Sequence, residues 1–243
     1  MLKLLSYPLT FIFFLCFGLA LVVFHPIQWL CLKVFGYDAH RKSVAVLNLI
    51  LMRCTNILGT RYTFDNSQAL PKNKPYIMVT NHQSMYDIPP IIWHLRNYHP
   101  KFVSKKELGK GIPSVSFNLR HGGSALIDRK DAKQALTEIG KLGTYIEEYN
   151  RSAVIFPEGT RSRTGHPKAF KPMGLKILLK KAPSALILPI TINNSWKLLR
   201  YGKFPMGLGS HVKFKVHPPI ENQGEPDAII AKVEAIIKKD IVV

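Results

Sequence analysis

Between Lys3 and Lys33 the chain carries no Asp, Glu, Lys or Arg; residues 4–32 read LLSYPLTFIFFLCFGLALVVFHPIQWLCL. A helix over such a stretch is long enough to cross a hydrocarbon core of about 30 Å. It is also apolar on every side, which a helix at the surface of a water-soluble domain rarely is. A cleaved signal peptide with Lys3 as its basic start fits poorly. No A-x-A site follows, and the apolar run continues through Trp29 and Leu32. A single spanning helix is one remaining reading. The other is a helical pair, in which Pro26 breaks or kinks the first helix and VAVLNLILM, residues 44–52, forms the second. Such a pair dips into one leaflet and returns the chain to the side it left, and it is the arrangement we expect. Lys33, Arg41, Lys42 and Arg53 on one flank, with Lys3 on the other, then keep the bulk of the protein on the cytoplasmic face. The expected organisation is membrane-associated helices over 1–59 and an α/β domain over 60–243.

Charge narrows the partners. The 243 residues include 34 Lys and Arg against 15 Asp and Glu. Five basic residues and one acidic residue precede Thr60, which leaves 29 against 14 for the rest. The surplus therefore belongs to the folded domain and favours anionic partners: nucleic acid, anionic lipid, phosphorylated substrates or an acidic carrier protein. Cys16, Cys31 and Cys54 lie in the apolar front with no CxxC pair, and we expect buried, reduced thiols.

From about residue 60, short apolar runs alternate with amphipathic ones. Strands are expected at 76–80, 101–104, 124–128, 153–157, 185–192 and 212–218. Several are continuously apolar, as in strands covered on both faces. Helices are expected at 131–149, at 227–239 with Asp227 as its cap, and over IPPIIWHL with prolines in the first turn. The alternation argues for an α/β fold with a mostly parallel or mixed sheet flanked by helices. The polar, Gly- and Pro-containing stretch 157–174 is too long for a plain connection.

In such a sheet, ligands bind beyond the carboxyl ends of the strands. NHQSMYD, residues 81–87, places His82 at one such end with Asp87 at a helix start. A carboxylate on one imidazole nitrogen fixes the tautomer and leaves the other nitrogen as a base. An ordinary polar pair would use the same two residues. A zinc site would need further ligands, and His121, His166 and His211 show no ligand spacing. Ser84 puts all three triad residue types in one loop, too compressed for a triad, and the sequence has no G-x-S-x-G elbow. A second strand end delivers Glu158 and Gly159, followed by Arg161, Arg163, Lys168 and Lys171. Backbone amides with a guanidinium suit a phosphate monoester, although a solvated basic loop has the same composition. Arg129 closes SALIDR, and Lys105 and Lys106 follow another strand. Several strands thus bring polar groups to one edge.

These stretches resemble the glycerolipid acyltransferases. NHQSMYD is similar to their NHxxxxD motif and FPEGTRS to their second signature; GGSALIDR resembles the block between them, and LILPITI a later one. The nearest group by size and layout is 1-acylglycerol-3-phosphate acyltransferase, with the resemblance covering roughly residues 60–220. The apolar front resembles that family's membrane-inserted helical pair. One departure is FKPMG, with Pro172 where the family has a basic residue.

The resemblance implies transfer of a fatty acyl group from a thioester to the free hydroxyl of lysophosphatidic acid, giving phosphatidic acid. His82, oriented by Asp87, would be the catalytic base. Arg129, Glu158, Gly159, Thr160 and Arg161 would bind the glycerol phosphate, and Lys105 would contact the acyl donor or oxyanion. No metal or cofactor is implied; acyl-CoA or acyl-carrier protein is the co-substrate, membrane lipids are partners and nucleic acid is not. A different acceptor within the family is compatible with the same motifs: glycerol 3-phosphate, another lysophospholipid or a lyso-aminolipid. A non-enzymatic basic protein would leave the His–Asp pair unexplained.

Overall fold

A computed structural model describes residues 2–243. Six helices and seven strands alternate in the order α1 (Leu2–Cys54), β1 (Arg61–Asp65), β2 (Tyr76–Thr80), α2 (Ile88–His94), β3 (Pro100–Lys105), α3 (Val115–His121), β4 (Ala125–Ile127), α4 (Ala132–Tyr149), β5 (Ser152–Ile155), α5 (Pro172–Lys181), β6 (Leu186–Asn193), β7 (His211–Val216) and α6 (Pro226–Lys239). All strands join one sheet in the order β1-β7-β6-β2-β5-β3-β4. β6, β2, β5, β3 and β4 are mutually parallel. β7 runs antiparallel to β6, with β1 parallel to β7 at the edge.

β2 and β6 are buried at every position, which is why they read as continuous apolar runs rather than alternating ones. Their side chains divide between two cores. Tyr76 and Met78 of β2 face the layer of α1 and α2. Ile77 and Val79 face α4, α5 and α6. Asp131 caps α4 by accepting the Gln134 N–H at 2.9 Å. Asp227 does not cap α6. That helix starts one residue earlier at Pro226, and Asp227 pairs with Lys176 at 2.7 Å instead. β1 was not expected. Its pattern of exposed and half-buried residues at the sheet edge gives no continuous apolar run. The long loop after β5 ends at Pro172, where α5 begins.

The front of the chain is two helical arms, but the break lies at Gly36 and not at Pro26. Gly36 has φ +79° and ψ −167°, a backbone state that L side chains rarely adopt. Pro26 stays inside the first arm, which runs about 50 Å at helical rise. The usual helix pattern is inverted along this arm. Ser6, Thr10, Phe13, Ala20, Leu21 and Gln28 recur at helical spacing on the buried side. Leu4, Phe11, Leu15, Leu19, Val22, Trp29 and Leu30 stand exposed on the other. The inner face is bonded to the domain: Thr10 Oγ1 accepts the Met206 N–H at 2.9 Å, and the Ser114 hydroxyl donates to the Leu21 carbonyl at 2.6 Å. An outer face of this kind suits lipid rather than water. The three cysteines are free, and only Cys54 is buried; Cys16 and Cys31 are half-buried.

Candidate active site

The register of the parallel strands places their carboxyl ends side by side in the order β2, β5, β3, β4. At about 5 Å between neighbours, the edge spans about 14 Å. His82 follows β2, Glu158 to Arg161 follow β5, Lys105 ends β3, and Arg129 lies two residues beyond β4. The residues expected to form a site therefore share one edge.

The loop from β2 to α2 is built around Asp87, which has no exposed surface. Its Oδ2 accepts the Gln83 N–H at 2.8 Å and the Ser84 N–H at 2.9 Å. The same oxygen lies 2.8 Å from His82 Nδ1. An ionised carboxylate is acceptor-only, so the proton sits on Nδ1 and the Nε2 lone pair is free. Ser84 closes a capping box with Asp87 and also bonds the Ser195 hydroxyl, which uses its oxygen structurally. Asn81 exchanges two bonds with the Ile192 backbone, at 2.8 and 2.7 Å, and Gln83 Oε1 accepts the Ser195 N–H at 2.9 Å. The loop carrying His82 is thus tied to β6 on one side.

Glu158 ties it to β5 on the other. Its side chain is buried; Oε1 accepts the His82 N–H at 2.9 Å and Oε2 the Lys168 N–H at 3.1 Å. The Ser162 N–H donates back to the His82 carbonyl at 2.7 Å. Burial pushes the Glu158 carboxyl above the usual carboxylate range, against the two backbone N–H donors that favour its charged form. Both its oxygens are engaged, so it joins the two motifs. Gly159 turns the chain at φ +68°, with the stem of Lys171 only 3.4 Å from where a Cβ would stand. Beyond it Thr160 and Arg161 are exposed, and with Arg163 and Lys168 they line an open cleft. Lys168 Nζ donates to the Arg161 carbonyl at 3.3 Å.

Arg129 belongs to the same field. Partial burial, and after it the nearby Arg161 guanidinium, lower its pKa from the ordinary arginine value, with Glu107 opposing. Two neighbouring guanidiniums, neither in an ion pair within 4.0 Å among the described residues, favour an anion beside them. Lys105 is exposed at the end of β3. Pro172 opens α5 and supplies no charge; Lys168 and Lys171 stand nearby.

Sequence reasoning missed Phe156. Its ring lies 4.0 Å from the His82 ring, centroid to centroid, at 24°. It packs on a face of the imidazole, while Asp87 holds its Nδ1 edge. The available signal was its place between β5 and Glu158, the element that approaches the His82 loop.

The acyltransferase family model matches residues 61–193. Among curated proteins, the 1-acyl-sn-glycerol-3-phosphate acyltransferase of Helicobacter pylori is 38% identical over 133 residues, 51% of this chain and 54% of that protein. The protein of the same name from Borreliella burgdorferi is 31% identical over 181 residues, covering 72% of this chain and 70% of that protein. The match thus spans about half the length of the Helicobacter relative and somewhat more of the Borreliella one. Among solved structures, the 1-acyl-sn-glycerophosphate (LPA) acyltransferase PlsC of Thermotoga maritima superposes with a TM-score of 0.78 at 25% identity, over 98% of this chain and 95% of that one.

Proposed function

The chain belongs to the acyltransferase family, and on that premise we propose that it transfers a fatty acyl group from an acyl thioester to the free hydroxyl of 1-acylglycerol 3-phosphate, forming phosphatidic acid. The observation that carries the chemistry is the 2.8 Å contact between His82 Nδ1 and the buried Asp87.

An alcohol is a weak nucleophile near neutral pH, whereas a thioester is already reactive. The protein must chiefly remove the hydroxyl proton as attack begins. His82 Nε2 takes that proton, and the imidazolium is stabilised by Asp87. The acceptor oxygen bonds to the thioester carbonyl carbon, and the tetrahedral intermediate expels the thiolate. The imidazolium returns its proton to the departing sulfur. The acyl group passes directly to the acceptor, and the enzyme ends in its starting protonation state. A base so placed is worth about 10²–10⁴ in rate.

The acceptor phosphate docks against Arg161 and Arg129, with Thr160 and the Gly159 turn beside it. Glu158 acts through the loops it joins, by holding the phosphate cradle against His82. Lys105 lies on the donor side, where a cation would meet the developing oxyanion or the donor's phosphates. The donor is a thioester of CoA or of an acyl-carrier protein, both anionic, which suits the basic domain. No metal or cofactor takes part. The first arm of α1 lies in the plane of one leaflet, since its inner face is bonded to the domain along its length. The basic residues from Lys33 to Arg53 support the cytoplasmic leaflet for this arm.

The test is mass spectrometry of lipids after the purified full chain is incubated with lysophosphatidic acid and a mixture of acyl thioesters. Phosphatidic acid is expected. Acylation of glycerol 3-phosphate or of another lysolipid, with lysophosphatidic acid untouched, would replace the acceptor and keep the chemistry.

A further inference from the structure

A second cationic group lies at the opposite end of the sheet, where the chemistry above does not use it. Lys101 sits near the amino end of β3 and is only 6% exposed. Arg151, just before β5, and Lys101 both lie over the ring of Tyr37, at 3.7 and 4.9 Å from its centroid. Tyr37 immediately follows the Gly36 break in α1, and its hydroxyl is 3.0 Å from His99 Nδ1. Arg41 donates to the Arg96 carbonyl at 3.0 Å. His40 is 1% exposed, and its buried Nε2 has no hydrogen-bond partner among the described residues.

His40, Arg41, Arg96, His99 and Lys101 line a small recess that offers about 30 Å³ to the centre of a water-sized molecule and opens past the half-buried Arg41, Arg96 and His99, with Tyr37 and Arg151 behind Lys101. The nearest carboxylate in an ion pair is Asp38, which is mostly exposed and holds Arg41 from outside at 3.4 Å. Among the described residues Lys101, Arg96 and Arg151 make no ion pair within 4.0 Å. Buried cations are ordinarily paired. The ring of Tyr37 accounts for part of the attraction, but two cations share it and Lys101 remains without an acceptor.

We propose that this recess at the elbow of α1 is an anion site that takes a phosphate group, either free phosphate or the headgroup phosphate of an anionic lipid. Its residues supply donors from α1, from the turn after α2 and from β3, and a tetrahedral oxyanion accepts from several directions at once. Val34 and Phe35, on the other side of the break, are 62% and 67% exposed. They place the mouth beside an apolar surface, where a lipid headgroup would lie. Burial lowers the pKa of Lys101 to about 7, with Arg151 and Arg41 adding to the shift; a bound anion would reverse that.

The experiment is isothermal calorimetry of the detergent-solubilised full chain with inorganic phosphate, in the wild type and in Arg161→Ala, which weakens the cradle at the other edge. A binding event that survives Arg161→Ala is expected, and Lys101→Met should weaken it about tenfold or more. Arg41→Gln, at the half-buried mouth, should weaken it too and serves if Lys101→Met does not fold. In phosphate-free buffer Lys101→Met should raise the melting temperature, because an unpaired buried cation is removed. A merely structural lysine would lower it equally with and without phosphate, which overturns the proposal. Phosphate binding that is lost with Arg161→Ala alone, or that neither Lys101→Met nor Arg41→Gln weakens, overturns it as well. Flotation with neutral phosphatidylcholine vesicles and with vesicles containing phosphatidylglycerol separates the sources. Selective loss of binding to the anionic vesicles in either variant assigns the site to lipid; unchanged flotation with lost phosphate binding assigns it to free phosphate. Acyl transfer should persist in both variants, so the failure of this site would leave the proposed reaction standing.

Discussion

At the carboxyl edge of the parallel strands both buried carboxylates beside His82 are fully engaged, while Gln83 Nε2 and Ser162 Oγ are buried without a partner: Asp87 is held by two backbone amides and the imidazole, and Glu158 by two more amides. At the amino end of β3, Lys101 is also buried, and no carboxylate pairs with it. The first region is organised in advance, with the His82 lone pair left free and the guanidiniums exposed beside it. The second holds its charges in place at a cost in stability. A rigid, satisfied frame suits a reaction whose geometry must be fixed before substrate arrives. An unsatisfied cluster suits an ion that completes it.

The contrast is broken most severely at His82. His82→Ala should lower kcat by about 10²–10⁴ while the protein still folds with a modestly lower melting temperature, because Asp87 keeps its two backbone N–H donors and only the imidazole contact and the Phe156 stacking are lost. Steady-state kinetics beside a thermal melt check this; full activity in the folded variant would remove His82 as the base. Arg161→Ala should act on binding, raising the apparent KM for the phosphorylated acceptor about tenfold to a hundredfold with a smaller change in kcat. An unchanged KM would place the phosphate elsewhere.

Glu158→Gln should sharpen the comparison in the opposite sense. An amide offers one acceptor where the carboxylate offers two, so either the His82 or the Lys168 N–H loses its partner. The expected loss is about 1–3 kcal/mol, seen as a lower melting temperature accompanied by lower activity. A variant as stable and active as wild type would mean that Glu158 does not hold the two loops together.

The smallest effect is the pH dependence of stability from Lys101. It faces Tyr37, His40 and Arg41 of α1, Arg96 and His99 of the turn after α2, and Arg151 before β5, with Asp38 acting on Arg41 and His99 from the exposed side. Its folded pKa of about 7 lies below the unfolded value of 10.5. Between those values the unfolded chain binds more protons, so stability should rise with pH across that window in phosphate-free buffer. Melting curves of wild type and Lys101→Met should differ in slope there. Parallel curves would show that Lys101 is paired in solution.

Much of this was legible in order along the chain. Six strands and the two longest helices of the domain follow from runs and periodicity, because burial on both faces of a sheet or one face of a helix leaves a local pattern. β1 escaped because an edge strand with its outer side in solvent needs no apolar run. Pro26 suggested the wrong break: a proline costs one hydrogen bond and is tolerated in a long helix, whereas a positive φ is accessible chiefly to glycine, and Gly36 gave no apolar signal. Asp227 failed as a cap for a similar reason, since Pro226 already opens the helix and the carboxylate finds Lys176 instead.

The sequence alone determined which residue types stand at the carboxyl ends of the strands, and with them the family and the closeness of His82 to Asp87, because those signals are short and contiguous. Only the tertiary structure decided that Glu158 spends both oxygens on backbone amides, that Phe156 supports the imidazole, and that Lys101 of β3 and Arg151 before β5 meet over Tyr37 of α1. Each of these depends on groups far apart in the chain coming within a few ångströms, and a hydrogen bond or a Coulomb contact between such groups leaves no periodic trace along the sequence.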